Sequence, residues 1–119
     1  MDARRSVVGD ERLSVERLSD GMVIGIGGFI NAGHPMAIVR EIIRQDLKDL
    51  TVVGAASSGL ELDMLVAAGT ARKVVAPYVG AEGLAAIGPA FRHAVEQDLL
   101  EVWEVDEAHY YAGLRAAAQ

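Results

Sequence analysis

The stretch Asp20-Gly-Met-Val-Ile-Gly-Ile-Gly-Gly-Phe-Ile-Asn-Ala-Gly-His-Pro35 constrains the fold more than any other part of the chain. A short apolar strand, Met22 to Ile26, runs straight into Gly27-Gly28, and Gly33 and Pro35 then shape a turn into a helix. Paired glycines let the backbone approach another group closely and leave N–H groups that no side chain shields. Pro35 suits the first turn of a helix, whose free N–H groups then point back toward the loop. The loop fits a phosphate, a carboxylate or a developing oxyanion. It fits equally a strand-to-helix turn that is tight only for packing.

Counting removes two nucleotide motifs. The dinucleotide fingerprint needs a third glycine three places after its second, and from Gly25 and Gly27 that place holds Ile30. A P-loop needs Gly-Lys-Ser/Thr, yet no lysine lies between Met1 and Gln45.

With 119 residues the chain is one domain. Half of it is hydrophobic but only 5% is aromatic, so Val, Ile, Leu and Ala build the core, as in a parallel sheet covered by helices. The absence of cysteine removes disulfides and thiolate metal sites and fits a cytoplasmic location. Met1-Asp2-Ala3-Arg4-Arg5 has no apolar run behind it to make a signal peptide, and no apolar stretch is long enough for a membrane span. A net charge of −6 argues against nucleic acid as a partner. The histidines His93 and His109 lack the paired spacing of a metal site, and no metal is expected.

Helical and strand patterns alternate. Helices are expected at about 11–19, 35–45, 61–68, 89–97 and 112–119, and strands at 22–26, 50–54, 73–76 and 100–105. In the second helix Ile38, Ile42 and Ile43 form the inward face, with Arg40, Glu41 and Arg44 toward water; in the third, Leu60, Met64 and Leu65 point inward. Strands alternating with helices imply right-handed crossovers, a mainly parallel sheet and an α/β/α three-layer sandwich. Ligands gather at the carboxyl ends of such strands. Gly27-Gly28-Phe29, Ser57-Ser58-Gly59, Tyr78-Val79-Gly80 and Asp106-Glu107 all fall there.

Asp20, Gly21, Gly27, Gly28, Phe29, Gly33 and Pro35 together resemble the signature near the N-terminus of the alpha subunit of family I coenzyme A transferases. Gly25, inside the apolar triplet, departs from it. Leu50-Thr51-Val52-Val53 with Ser57-Ser58-Gly59 is similar to the family's second strand and its polar loop. Lys73 to Gly80 resembles its third strand and turn, and Leu100-Glu101-Val102 with Ala112 to Ala116 resembles its fourth strand and the following helix. The similarity spans residues 11–119. It implies an incomplete domain, the N-terminal part of an alpha-type subunit nearest the glutaconate and steroid-ring-hydrolase branches.

The resemblance implies a reaction and a division of labour. A glutamate attacks an acyl-CoA, a glutamyl-CoA thioester forms, and CoA moves to a second carboxylic acid. No covalently bound cofactor is implied; the CoA thioester is substrate. The nucleophile belongs to a beta subunit in a Ser-Glu-Asn-Gly type motif, and no glutamate here precedes Asn-Gly. This chain then supplies Gly27, Gly28, Phe29, Gly33 and His34 as a substrate or oxyanion loop, and Ser57, Ser58, Tyr78 and Gly80 as pocket wall. Glu107 stands where many such subunits carry a glutamine. It acts as a catalytic carboxylate, as in the ring-opening hydrolases, or it merely favours the positive end of a helix that Asp106 caps. Trp103, Tyr110 and Tyr111 are candidates for the partner contact. Two other readings are a truncated, non-catalytic remnant and a sugar-phosphate isomerase of similar architecture; the second leaves the Gly-Gly-Phe loop unexplained.

Overall fold

Strand and helix alternate along the described residues, as the apolar pattern requires. The computed structural model describes residues 9–119, so the reading of Met1–Arg5 as no leader lies outside the described residues. The elements are α1 (Glu11–Val15), β1 (Val23–Gly25), α2 (Met36–Arg44), β2 (Leu50–Val53), α3 (Leu60–Ala67), β3 (Ala71–Val75), α4 (Pro89–Glu96), β4 (Glu101–Trp103) and α5 (Glu107–Ala117). The four strands pair in the order β1-β2-β3-β4, all parallel, with Val23 beside Thr51, Val52 beside Val74 and Val75 beside Trp103.

This order decides the layering. Each right-handed crossover steps to the next strand in the same direction, which puts α2, α3 and α4 on one face of the sheet. Alternate strand residues on that face, Leu50, Val52 and Val74, are fully buried against Val39 and Ile42 of α2 and Leu62 and Leu65 of α3. Val15 of α1 joins the same core. The opposite face receives α5: Tyr110 is buried, its hydroxyl donates to the Gly54 carbonyl, and Leu114 lies over Val53, Val75 and Trp103 around a small apolar cavity of about 210 Å³. Among the described residues the result is an α/β fold with a parallel sheet, four helices on one side and one on the other.

Three side-chain orientations differ from the helical pattern. Leu60 is 53% exposed, because α3 turns Leu62, Leu65 and Val66 inward. The α3 sequence is apolar on most of its sides, so its period alone does not fix which side packs. Glu41, expected in water, is buried, and its carboxylate accepts from Arg44 and Gln45 at 3.0 and 2.9 Å. Tyr110 holds α5 to the sheet and is not part of an exposed contact surface, whereas Trp103 and Tyr111 are exposed.

The opening motif splits into two jobs. At the amino end of β1 the Asp20 carboxylate accepts the Lys48 N–H at 2.8 Å, and Gly21, at φ +78°, donates its N–H to the Lys48 carbonyl at 3.0 Å. That half ties β1 to the turn before β2. The glycine half lies at the other end of the strand, with the remaining loops.

Candidate functional site

Three loops meet beyond the carboxyl ends of β1, β2 and β3, and backbone hydrogen bonds lace them together. Ile30 N–H donates to Ser57 O at 2.7 Å, Ser58 N–H to Tyr78 O at 3.0 Å, and Gly80 N–H to Ser58 O at 3.0 Å. Ile30 makes its bond from φ +49°, a conformation that costs a β-branched residue on the order of 1–3 kcal/mol. Its carbonyl presses on Gly59, where a Cβ would lie 2.0 Å from Ile30 O. Only glycine fits at that crossing.

His34 and Glu61 lie beneath this surface. The His34 ring has Nδ1 2.9 Å from Gly27 O, and Nε2 3.0 Å from Ile30 O and 3.2 Å from the Glu61 carboxylate. The two side chains are 3% and 0% exposed. Both Glu61 oxygens also accept the Gly59 N–H, at 3.1 and 3.0 Å. The atoms facing the ring nitrogens are all oxygens, two of backbone carbonyls and one of the Glu61 carboxyl group. The pair thus bolts the loop after β1 to the start of α3. Buried groups of this kind are stable only when fully satisfied, and here they are.

The same ring explains Gly28. At φ +130°, a Cβ on Gly28 would lie 2.1 Å from His34 Nδ1. The space that this glycine leaves is filled by the protein's own histidine and is not open to a ligand. Gly27 is different, since nothing lies within 4 Å of its Cβ position. Among the described residues, neither the Gly27 nor the Gly28 N–H donates to another group of the chain. Phe29, closed in a small bridge with Ala32, stands 64% exposed beside them. Next to the loop opens a cleft of about 360 Å³, lined by Asn31, Gly33, His34, Met36, Leu60 and Leu84.

The structure therefore gathers Gly27, Gly28, Phe29, Gly33, His34, Ser57, Ser58, Tyr78 and Gly80 into one cluster, with roles that differ from those the sequence suggested for some of them. His34 turns its nitrogens inward and offers the cleft only its ring surface. Ser58 is fully buried and donates its hydroxyl to Ala55 O at 3.2 Å, so it is packing and not pocket wall. Tyr78 folds over Gly80, whose missing Cβ leaves room for the phenol oxygen and for Ala86 O. Glu107 is exposed on the first turn of α5 and does not line the cleft. Beside it Asp106 caps the helix: its carboxylate accepts the His109 N–H at 3.0 Å and faces His109 Nδ1 at 2.5 Å, and these bonds hold its pKa below the usual aspartate value.

Sequence reasoning missed Glu61 and Ile30. The signal for Glu61 was an acidic residue in the first helical turn, two places after a glycine, a position from which a carboxylate reaches back to free N–H groups. Nothing in the sequence marks Ile30. Among the described residues no group of three His, Asp or Glu side chains has the geometry to hold a metal. Another cavity, about 400 Å³ and lined in part by Asp49, Arg72 and His93, lies at the amino ends of the strands, away from the loop cluster.

Comparison with known proteins bears on the family and the fold. Residues 11–119 match the family described as Coenzyme A transferase. The chain is 38% identical over all 119 residues to the "Cholesterol ring-cleaving hydrolase IpdA subunit" of Mycobacterium tuberculosis, of which it spans 39%. It is 33% identical over 95 residues to the A-type chain of glutaconate CoA-transferase from Acidaminococcus fermentans, covering 80% of this chain and 29% of that relative. The crystal structure of glutaconate coenzyme A-transferase from the same organism superposes with a TM-score of 0.88 at 29% identity, over 95% of this chain and 36% of that one. The chain thus spans about two fifths or less of the relatives it matches. On sequence and on fold alike, it belongs to the coenzyme A transferase family.

Proposed function

We propose that this chain forms one wall of the acyl-CoA site of a heteromeric CoA-transferase, in the alpha-type role, with a partner beta subunit supplying the nucleophilic glutamate. The observation that carries the reading is the loop after β1. Gly27 and Gly28 present N–H groups with no partner among the described residues, on a backbone held in place from below by His34 and Glu61. Pre-aimed donors of that kind stabilise an oxyanion as a thioester carbonyl is attacked, and a rigid mount is what makes them effective. No glutamate here precedes Asn-Gly as in the nucleophile motif that the resemblance implies, and on this reading the glutamyl-CoA intermediate forms on the partner. Coenzyme A enters as a substrate thioester.

The test is trapping. The full-length protein with its partner is incubated with an acyl-CoA and reduced with borohydride. Mass spectrometry is expected to find the modified glutamate on the partner and none on this polypeptide. An adduct on this chain, alone or in the complex, would overturn the assignment.

A second reading has its own support. Glu107 places an exposed carboxylate at the N-terminus of α5, and one relative matched over all of this chain is named as a ring-cleaving hydrolase subunit. On that reading the complex uses a carboxylate of this chain as a base to cleave a CoA thioester substrate, and the transfer of CoA between acids is absent.

A further inference from the structure

We propose that His34 is a positioning residue: its Nδ1 holds the Gly27 carbonyl inward and so aims the Gly28 N–H, rather than that of Gly27, out of the loop toward the reacting carbonyl. The proposal rests on the acyl-CoA reading above and names the side chain that makes its donor effective.

A trans peptide unit is planar, and its C=O and N–H point in opposite directions. The Gly27 carbonyl and the Gly28 N–H belong to one such unit, and among the described residues no peptide bond is cis. Gly27 O lies 2.9 Å from His34 Nδ1, and the His34 side chain is only 3% exposed beneath the loop. A carbonyl oxygen only accepts, so Nδ1 is the donor of this bond. With its carbonyl drawn down to the ring, the unit turns the Gly28 N–H to the opposite, outer side. The Gly27 N–H belongs to the preceding unit, whose Ile26 carbonyl the ring does not hold.

This unit needs an anchor. It joins two glycines, and nothing lies within 4 Å of the Cβ position of Gly27, so no side chain opposes its rotation. Turned over, it would show an oxyanion the Gly27 carbonyl, a repulsive dipole in place of an attractive one. The bond to His34 selects one orientation, and it also polarises the N–H at the far end of the same unit.

The ring is itself fixed from its other side. Nε2 faces Ile30 O at 3.0 Å and the Glu61 carboxylate at 3.2 Å, and Glu61 is held by the Gly59 N–H. Ile30 brings its carbonyl to the ring from φ +49°, and strain of that kind persists where the surroundings over-determine it. With Nε2 engaged there, Nδ1 is the nitrogen left to hold the glycine pair.

Asparagine and glutamine divide the two jobs of the ring. The amide nitrogen of Asn reaches close to the place of Nδ1, and that of Gln reaches the place of Nε2. His34→Asn thus keeps a donor for Gly27 O and gives up the contact with Glu61, whereas His34→Gln does the reverse. The full-length variants are assembled with the partner, and equilibrium dialysis measures their affinity for two probes. One is the isostere of acetyl-CoA in which a methylene replaces the sulfur, so that its carbonyl cannot be cleaved; the other is coenzyme A, which lacks that carbonyl. His34→Gln is expected to weaken the isostere relative to coenzyme A by about three- to tenfold, the worth of one hydrogen bond, while His34→Asn keeps the wild-type ratio. A crystal structure of the glutamine variant is expected to show the Gly27 carbonyl turned outward. A ratio that changes equally in both variants or in neither, or an inward carbonyl in the glutamine variant, overturns the positioning role. If neither variant assembles, the wild-type complex with the isostere decides: its carbonyl oxygen within hydrogen-bond distance of Gly28 N supports the assignment, and an oxygen bonded to Gly27 N or to neither overturns it. A wild-type complex that binds neither probe overturns the acyl-CoA reading, and the carbonyl orientation in the glutamine variant still decides the role of His34.

Discussion

His34 and Glu61 come from different strand-end segments, yet their side chains meet at 3.2 Å with neither more than 3% exposed. Through that contact the glycine loop, the Gly59 N–H and the start of α3 become one rigid piece. The loop's external face is open; its internal face is not. That asymmetry sets the first two predictions.

Removing the carboxylate should cost far more than a surface substitution. In Glu61→Ala the Gly59 N–H and the His34 ring lose a buried partner that water cannot readily replace. Breaking a buried pair in this way costs about 3–5 kcal/mol. Urea denaturation of wild type and variant measures it, and a loss below about 1 kcal/mol would mean that water enters the site and the bolt is weak.

Gly27 and Gly28 should respond in opposite ways to the same methyl group. Gly28→Ala drives a Cβ to 2.1 Å from the His34 ring and strains a backbone at φ +130°. It is expected to destabilise the fold by about 2 kcal/mol or more. Gly27→Ala meets nothing within the chain. It should leave the melting temperature within a degree or two, yet lower kcat/KM in the complete heteromer if a ligand uses that open side. Equal stability of the two variants would contradict the arrangement of ring and loop.

The order of elements was legible because each apolar run has the right period and length and ends at a glycine, proline or aspartate. The loops were legible because strand ends collect them. What stayed hidden depends on contacts between distant segments. Glu61 reads as an ordinary first-turn acid until the loop after β1 brings His34 over it. Ser57-Ser58 reads as polar lining, yet Ser58 turns inward because its N–H and carbonyl extend the ladder to Tyr78 and Gly80. Leu60 reads as core because a helix apolar on most sides has no phase of its own; the sheet chose Leu62 and Leu65. Ile30 adopts a conformation its side chain disfavours, so local propensity points away from it.

The docking of α5 should depend on pH at both extremes. Asp106 is held below its ordinary pKa first by the His109 N–H and then by the His109 imidazole. A depressed acid stabilises the fold above its unfolded value, here near 3.8, and that contribution is lost as pH falls through the lower folded value. Tyr110 is shifted upward, chiefly by burial and further by Tyr111. Its contribution is complete below the usual value near 10 and is lost as pH rises through the higher folded one. NMR of α5 amides should show acid fraying that Asp106→Asn abolishes. Absorbance at 295 nm should show a late-titrating phenol that is missing in Tyr110→Phe, a variant expected to cost about 1 kcal/mol for the lost bond to Gly54.

Glu107→Gln separates the two enzymatic readings. The residue is exposed, opens α5 and lies next to the Asp106 cap. In a transferase the position needs only a donor to the thioester or its oxyanion, so the amide should preserve or improve activity. In a hydrolase the carboxylate must accept a proton, and losing it should slow the reaction on the order of a hundredfold or more, the usual worth of a general base. If Glu107 serves only the helix, the amide should leave the rate alone and cost well under about 1 kcal/mol, the scale of one charge at an exposed N-terminus. The measurement is a pH–rate profile of wild type and variant in the complete complex, with a melting curve for each. A hundredfold loss that removes the acidic limb of the profile excludes the transferase role. Equal rates with a slightly lower melting temperature exclude both catalytic roles and leave Glu107 as a support for α5.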